Sequence, residues 1–262
     1  MGKIGKKIKS TILIITALAV LFYAAVIFLH PGTIHYSLSE DGTYYVVKGI
    51  SDGPFRKKEK VKIPETHEKL PVKGILRDAI RNEAVKSITL PKTLEGISDE
   101  AFVDTAYYND EDSWEIIYDD EYGVELYRAL YISNYLIEVR YNDRVVDADG
   151  ALPKVVVKDG TLGIAEKAFK STNPDAKYST ATVIIESDDL SFVGSGVVND
   201  GDYYIDDYKR SKDMFGIECD SYVIGYDGLI ADWNEFEAGP VTVEGAYLIH
   251  CQDGIIDLTS KP

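Results

Sequence analysis

Cysteine, methionine, tryptophan and histidine are scarce in this 262-residue chain, at two, two, two and four residues. So few cysteines exclude a disulfide-stapled scaffold and leave room for one bridge at most. The candidate pair is Cys219 and Cys251, 32 positions apart. A bridge there would be worth about 3–4 kcal/mol through the unfolded chain. The alternative is two buried thiols acting as small apolar side chains. The histidines are His30, His35, His67 and His250, and no two of them form a metal-ligand pair. A phosphate-cradling glycine loop is absent, and Gly194-Ser195-Gly196 lacks the spacing of a nucleophile elbow. No catalytic residue and no cofactor is expected.

Positive charge is also in deficit. The chain holds 28 Lys and Arg against 44 Asp and Glu, for a net charge of −16 at pH 7. Four lysines and no acid fall in the first thirty residues, so the remainder carries −20, four units below the whole. A field of that sign repels phosphate backbones and argues against a nucleic-acid partner. It suits cationic partners or loosely held calcium. Acids cluster at Asp110-Glu111-Asp112 and Asp119-Asp120-Glu121. Neither run has the alternating oxygen-ligand spacing of a calcium loop, so no metal site is expected.

What the chain does have is apolar content, 45%, enough for a packed core. Residues 11–29 carry no charge, and Lys3, Lys6, Lys7 and Lys9 precede them. A helix over that stretch spans about 29 Å, close to a bilayer's hydrocarbon thickness. The reading is a basic cytoplasmic tail at 1–10 and a transmembrane signal anchor at 11–29, with the rest exported. The competing reading is a signal peptide cleaved after Ala17-Leu18-Ala19. Asp41-Gly42 sits between two β-rich runs and predicts a capping hairpin, followed by the basic run Arg56–Lys60, over 33–60. That basic run is a solvated loop or a contact for anionic headgroups.

From Val61 a unit recurs: a short apolar strand closed by proline, a turn, then a hydrophobic hook. The first copy holds Val61, Ile63 and Pro64, then Val72, Ile75, Ala79 and Ile80. The second holds Ile88, Leu90 and Pro91, then Leu94, Ile97, Ala101 and Phe102. Val72 to Leu94, Ile75 to Ile97 and Ala79 to Ala101 are each offsets of 22. Ile164, Ala168 and Phe169 repeat the hook 67 residues further on, near three periods. A fixed period of this kind predicts coils that bury their apolar sides against one another. The expected fold is therefore mainly β with short helical or irregular turns. It is a leucine-rich-repeat-like solenoid over 61–198, preceded by one transmembrane helix and a capping hairpin. An acidic insertion falls near 103–129, and a divergent repeat or β cap occupies 199–262. This reading requires Ile88–Leu90 and Val155–Val157 to share one stack.

The hairpin with Asp41-Gly42-Thr43-Tyr44-Tyr45, the units at Ile63–Val72 and Leu90–Phe102, and Leu130–Val139 followed by Lys158–Phe169 resemble BspA-type leucine-rich repeat proteins. Those are surface proteins of gut and oral bacteria and of some protists. The resemblance covers about 33–198; Ile80 stands where the family's hook has phenylalanine, and the chain beyond Asn199 does not match. It implies adhesion or matrix interaction without catalysis.

In each strand the outward residues form a row: Lys62, Thr89, Val156 and Ile184. Exposed β-branched residues in a row are a candidate docking face, unless the insertion or the tail folds over them. Three functions follow. The first is a membrane-anchored extracellular module binding a protein or glycan partner. The second is a scaffold subunit of a cell-envelope complex. The third is a polysaccharide-active enzyme built on a chance carboxylate pair. Nineteen tyrosines would stack on sugars, though tyrosine also favours strands.

Overall fold

Asp41 and Gly42 make the first reversal of the chain. Gly42 takes φ +70°, which a glycine adopts without strain. The Asp41 carboxylate accepts from the Thr43 N–H at 3.0 Å and from the Thr43 hydroxyl at 2.8 Å. The computed structural model describes residues 14–26, 30, 32–171, 177–187, 189–194, 219–235 and 246–257.

Helix α1 covers 14–26. At about 1.5 Å per residue it is near 20 Å long, and among the described residues no helix is long and apolar enough to cross a membrane. This corrects the transmembrane span expected at 11–29, whose ends at 11–13 and 27–29 lie outside the described residues. Then come β1 (Thr33–Leu38), β2 (Tyr45–Ser51), β3 (Lys60–Lys62), β4 (Thr66–His67), β5 (Leu70–Ile75), β6 (Ser87–Thr89) and β7 (Gly96–Ile97). Helix α2 (Ala106–Asn109) and a single 3-10 turn (Glu111–Ser113) lead into β8 (Trp114–Tyr118), β9 (Glu125–Ile132) and β10 (Tyr135–Tyr141). The chain continues through β11 (Val155–Val157), β12 (Gly163–Ile164), β13 (Phe169–Ser171), β14 (Tyr178–Ile185) and β15 (Phe192–Val193). It ends with β16 (Cys219–Tyr226), α3 (Ile230–Glu235), β17 (Ala246–Cys251) and β18 (Gly254–Asp257).

The fold is mainly β, but the strands do not form one solenoid. Among the described residues they divide into four sheets. One runs β1-β2-β5-β4, with β7 also on β5; a second pairs β3 with β6. The third runs β15-β12-β10-β9-β8, with β13 on β10, and the fourth β11-β14-β16-β17-β18. Ile88 and Thr89 lie on β6 and Val155–Val157 on β11, so the strands that one stack would join belong to separate sheets. The physical reason is the meander β8–β10. Its ladders are antiparallel and satisfy their own backbone groups. β10 pairs in parallel with β12 and β13, so the later coil builds on the meander, and β6 and β11 stay in separate sheets. The stretch read as an acidic insertion near 103–129 contains α2, β8 and the start of β9.

The hooks are buried all the same. Ala79, Ile80, Ala101, Phe102, Ala168 and Phe169 are each at most 2% exposed. Asp78, Glu100 and Lys167, one residue before each hook alanine, take positive φ of 58°, 56° and 49°. The hooks nevertheless belong to two cores. The first four residues pack with Val61, Ile63, Ile97 and Leu130, while Ala168 and Phe169 pack with Leu136, Val139, Val183 and Ile224.

Tyr135 fastens β10 to the second unit. Its ring is 1% exposed, and its hydroxyl donates to the Pro91 carbonyl at 2.8 Å. Burial pushes its pKa up to about 12. The unfolded phenol ionises near pH 10. Between these values the folded chain holds the proton that the unfolded chain releases, so stability falls as pH rises from about 10 to about 12. Thermal melts across that window are expected to show a shallower decline for Tyr135→Phe than for the wild type. Identical slopes would contradict the assignment.

The carboxyl-terminal elements extend an existing sheet. β16 lies parallel to β14, and β17 parallel to β16. Gly225 pairs with His250, so Cys251 stands level with Tyr226. Cys219 begins the same strand, seven positions away. At about 3.3 Å per residue their backbones are near 23 Å apart, far beyond disulfide reach. This overturns the candidate bridge. Dithiothreitol is expected to leave the melting temperature unchanged, whereas a fall of several degrees would restore the pairing.

Candidate functional site

The four residues of the expected outward row do not share a face. Lys62 pairs with Thr89 across β3 and β6, and both are exposed. Val156 pairs with Ile184 across β11 and β14, in another sheet, and both are half-buried. The Val156 N–H donates to the Tyr127 hydroxyl at 3.2 Å. The Ile184 Cδ1 lies 2.7 Å from where a Cβ on Gly225 would stand, so that side chain fills the gap over its cross-strand glycine. The row is a pair of surface positions and a pair of packing positions. Arg56–Lys60 is not a uniform solvated loop either, since Lys58 is buried and its ammonium donates to the Gly32 carbonyl at 3.2 Å.

A different constellation forms on the third sheet. Arg140 of β10 stands opposite Lys170 of β13 on one side and Arg128 of β9 on the other. Residues directly opposite in a ladder point to the same face. Three cations therefore occupy one rung of three neighbouring strands, about 4.8 Å apart from strand to strand. Their side chains are 31% exposed at Lys170, 40% at Arg140 and 33% at Arg128.

Two carboxylates hold the rung. Glu138, only 4% exposed, accepts from the Arg140 Nε at 2.6 Å and from the Lys170 Nζ at 2.8 Å. Glu125 takes Arg128 in a fork of 2.6 and 3.0 Å. Tyr108 completes the network, donating to Glu138 at 2.7 Å and accepting from the Arg140 Nη2 at 2.6 Å. Burial, then the Glu138 carboxylate, holds the Tyr108 hydroxyl well above the usual phenol range. Burial works against the Arg140 charge, but Glu138 and Tyr108 together outweigh it and the pKa rises, so the guanidinium stays charged. Its centre lies 4.2 Å from the Trp114 ring and 5.0 Å from the Tyr108 ring, within cation–π range.

The second hook positions this cluster. The Phe102 carbonyl accepts from the Thr105 hydroxyl at 3.0 Å, and that oxygen caps α2 by accepting from the Tyr108 N–H at 3.0 Å. The Trp114 Nε1 donates to the Tyr108 carbonyl at 2.9 Å. Buried Phe102 thus sets the turn that lays Tyr108 over β10.

The acidic runs serve the turns around β8. Asp110 accepts from the Asp112 N–H at 3.2 Å, and Asp119 from the N–H groups of Glu121 and Tyr122 at 2.9 and 2.7 Å. Among the described residues no group of three or more metal-ligating side chains comes together.

No protein-family model, curated protein or solved structure matches this chain. The reading of the site rests on its own geometry and charge.

Proposed function

We propose that the chain is a non-catalytic binding module, attached to a membrane by its amino-terminal segment, that holds a protein or glycan partner. The observation that carries this reading is the cationic rung. Three cations stand in one row, and Arg140 and Lys170 share a single carboxylate, so part-exposed positive charge is presented on an acidic chain. The local units resembling BspA-type proteins support the same reading, as segments rather than as a repeat stack. Attachment is supported by α1, whose Leu18, Leu21 and Phe22 are 60%, 65% and 73% exposed. Four lysines precede it, and that charge pattern suits an anionic bilayer surface.

The chain is expected to cosediment with anionic vesicles at low salt and to be released at high salt, and no cosedimentation contradicts attachment. Protease shaving of whole cells is expected to cut beyond residue 33. Binding of purified full-length chain to immobilised glycans or matrix proteins supports the adhesion role. Pull-down of a stoichiometric membrane complex without such binding supports the scaffold role instead. Turnover in a glycan hydrolysis screen would overturn both.

A further inference from the structure

We infer that the Lys170–Arg140–Arg128 rung binds the carboxylate of a ligand carrying a single negative charge. This rests on the reading of the chain as a binding module and names the chemistry of what it binds. Arg140 and Lys170 carry two positive charges and share one carboxylate, Glu138, while Glu125 and Glu111 both answer Arg128. One positive charge is left over at the Arg140–Lys170 pair, in a chain of net charge −16.

Geometry favours a carboxylate. Arg140 is fixed by Glu138, by Tyr108 and by two aromatic rings, so little side-chain entropy is lost when a ligand arrives. Its Nη1 makes none of these hydrogen bonds, and at 40% exposure the side chain reaches solvent. A guanidinium offers N–H pairs that match carboxylate oxygens, and the Lys170 ammonium on the next strand supplies further donors. Charge sets the valence. The long-range field of an acidic chain repels polyanions such as polyphosphates or acidic polymers. A ligand with one carboxylate on an otherwise neutral body meets the surplus charge of the rung and avoids most of that repulsion. An acidic sugar and a peptide carboxyl terminus both present this group.

The test uses full-length protein in detergent with Trp233→Phe, which leaves Trp114 as the reporter stacked on Arg140. The probes are D-glucuronate, N-acetylglycine, D-glucose and inorganic phosphate. A saturable change in Trp114 fluorescence is expected with glucuronate, with N-acetylglycine or with both, and none with glucose. A response to glucuronate alone assigns an acidic sugar, and one to N-acetylglycine alone assigns a peptide terminus. Adding Lys170→Met removes the surplus charge while Glu138 keeps Arg140. It is expected to weaken binding by about tenfold or more, as befits a charged hydrogen bond, with an unchanged melting temperature. Equal binding in Lys170→Met, phosphate binding as tightly as either carboxylate, or no carboxylate response overturns the inference. If carboxylates fail while the full chain still captures a partner from glycan or membrane, the binding-module reading stands and only the ligand chemistry falls.

Discussion

Phe102→Ala and Phe169→Ala are each expected to lower the unfolding free energy by about 3–5 kcal/mol, the range for a core phenylalanine. Both rings are at most 1% exposed, so each truncation loses the transfer energy of the ring and leaves a cavity. A folded domain holds only about 5–15 kcal/mol in all, so either change removes a large share. The two rings lie in separate cores, which adds a second expectation. Milder truncations to leucine at both sites should add within about 0.5 kcal/mol, as independent sites do. Urea titrations of the two single variants and the double variant measure this. An unaltered midpoint for either alanine variant would show that its ring does not fill the core.

Glu138→Ala is expected to cost about 3 kcal/mol. Removing one partner of a buried ion pair usually costs about 3–5 kcal/mol, and the part-exposed cations place this case at the low end. Glu138 is 4% exposed and answers both Arg140 and Lys170. Without it, two like charges face each other across β10 and β13, and Tyr108 loses its acceptor. Adding Lys170→Met to Glu138→Ala should recover part of the loss, because one uncompensated cation goes with it. A double variant as unstable as the single one would show that the charge is not the cause.

The buried hooks were legible because local pattern encodes burial: alternation in a short strand, then alanine and a large apolar residue at the bend. The hairpin at Asp41-Gly42 was legible from turn chemistry. Sheet membership was not. A period of 22 reports that each unit meets a similar local environment, and says nothing of a meander standing between units. β8 escaped notice because Trp114, Ile116 and Ile117 lie between two acidic runs, and the charge masked the alternation. The cationic rung was not there to be read. The turn at Ser133-Asn134 pairs Tyr135 with Ile132, a register that alone would set Arg140 opposite Tyr127; the bulge between Leu136 and Glu138 shifts it to Arg128. Lys170 joins through the parallel pairing of β13 to β10, and nothing local in the sequence states that register. In a chain so short of cations, scattered arginines read as solubilising residues. The fold brings them together.

The edge position of β8 has a consequence for how the protein behaves in crowded solution. Among the described residues its outer flank closes the third sheet, an open template on which a second copy would zip up. Asp110–Asp112 stands at one end of that flank and Asp119–Glu121 at the other. Two molecules meeting edge to edge would press like charges together, so these turns act as bumpers that keep copies apart. Replacing Asp119, Asp120 and Glu121 by their amides should let the edges stick, visible as turbidity before secondary structure is lost.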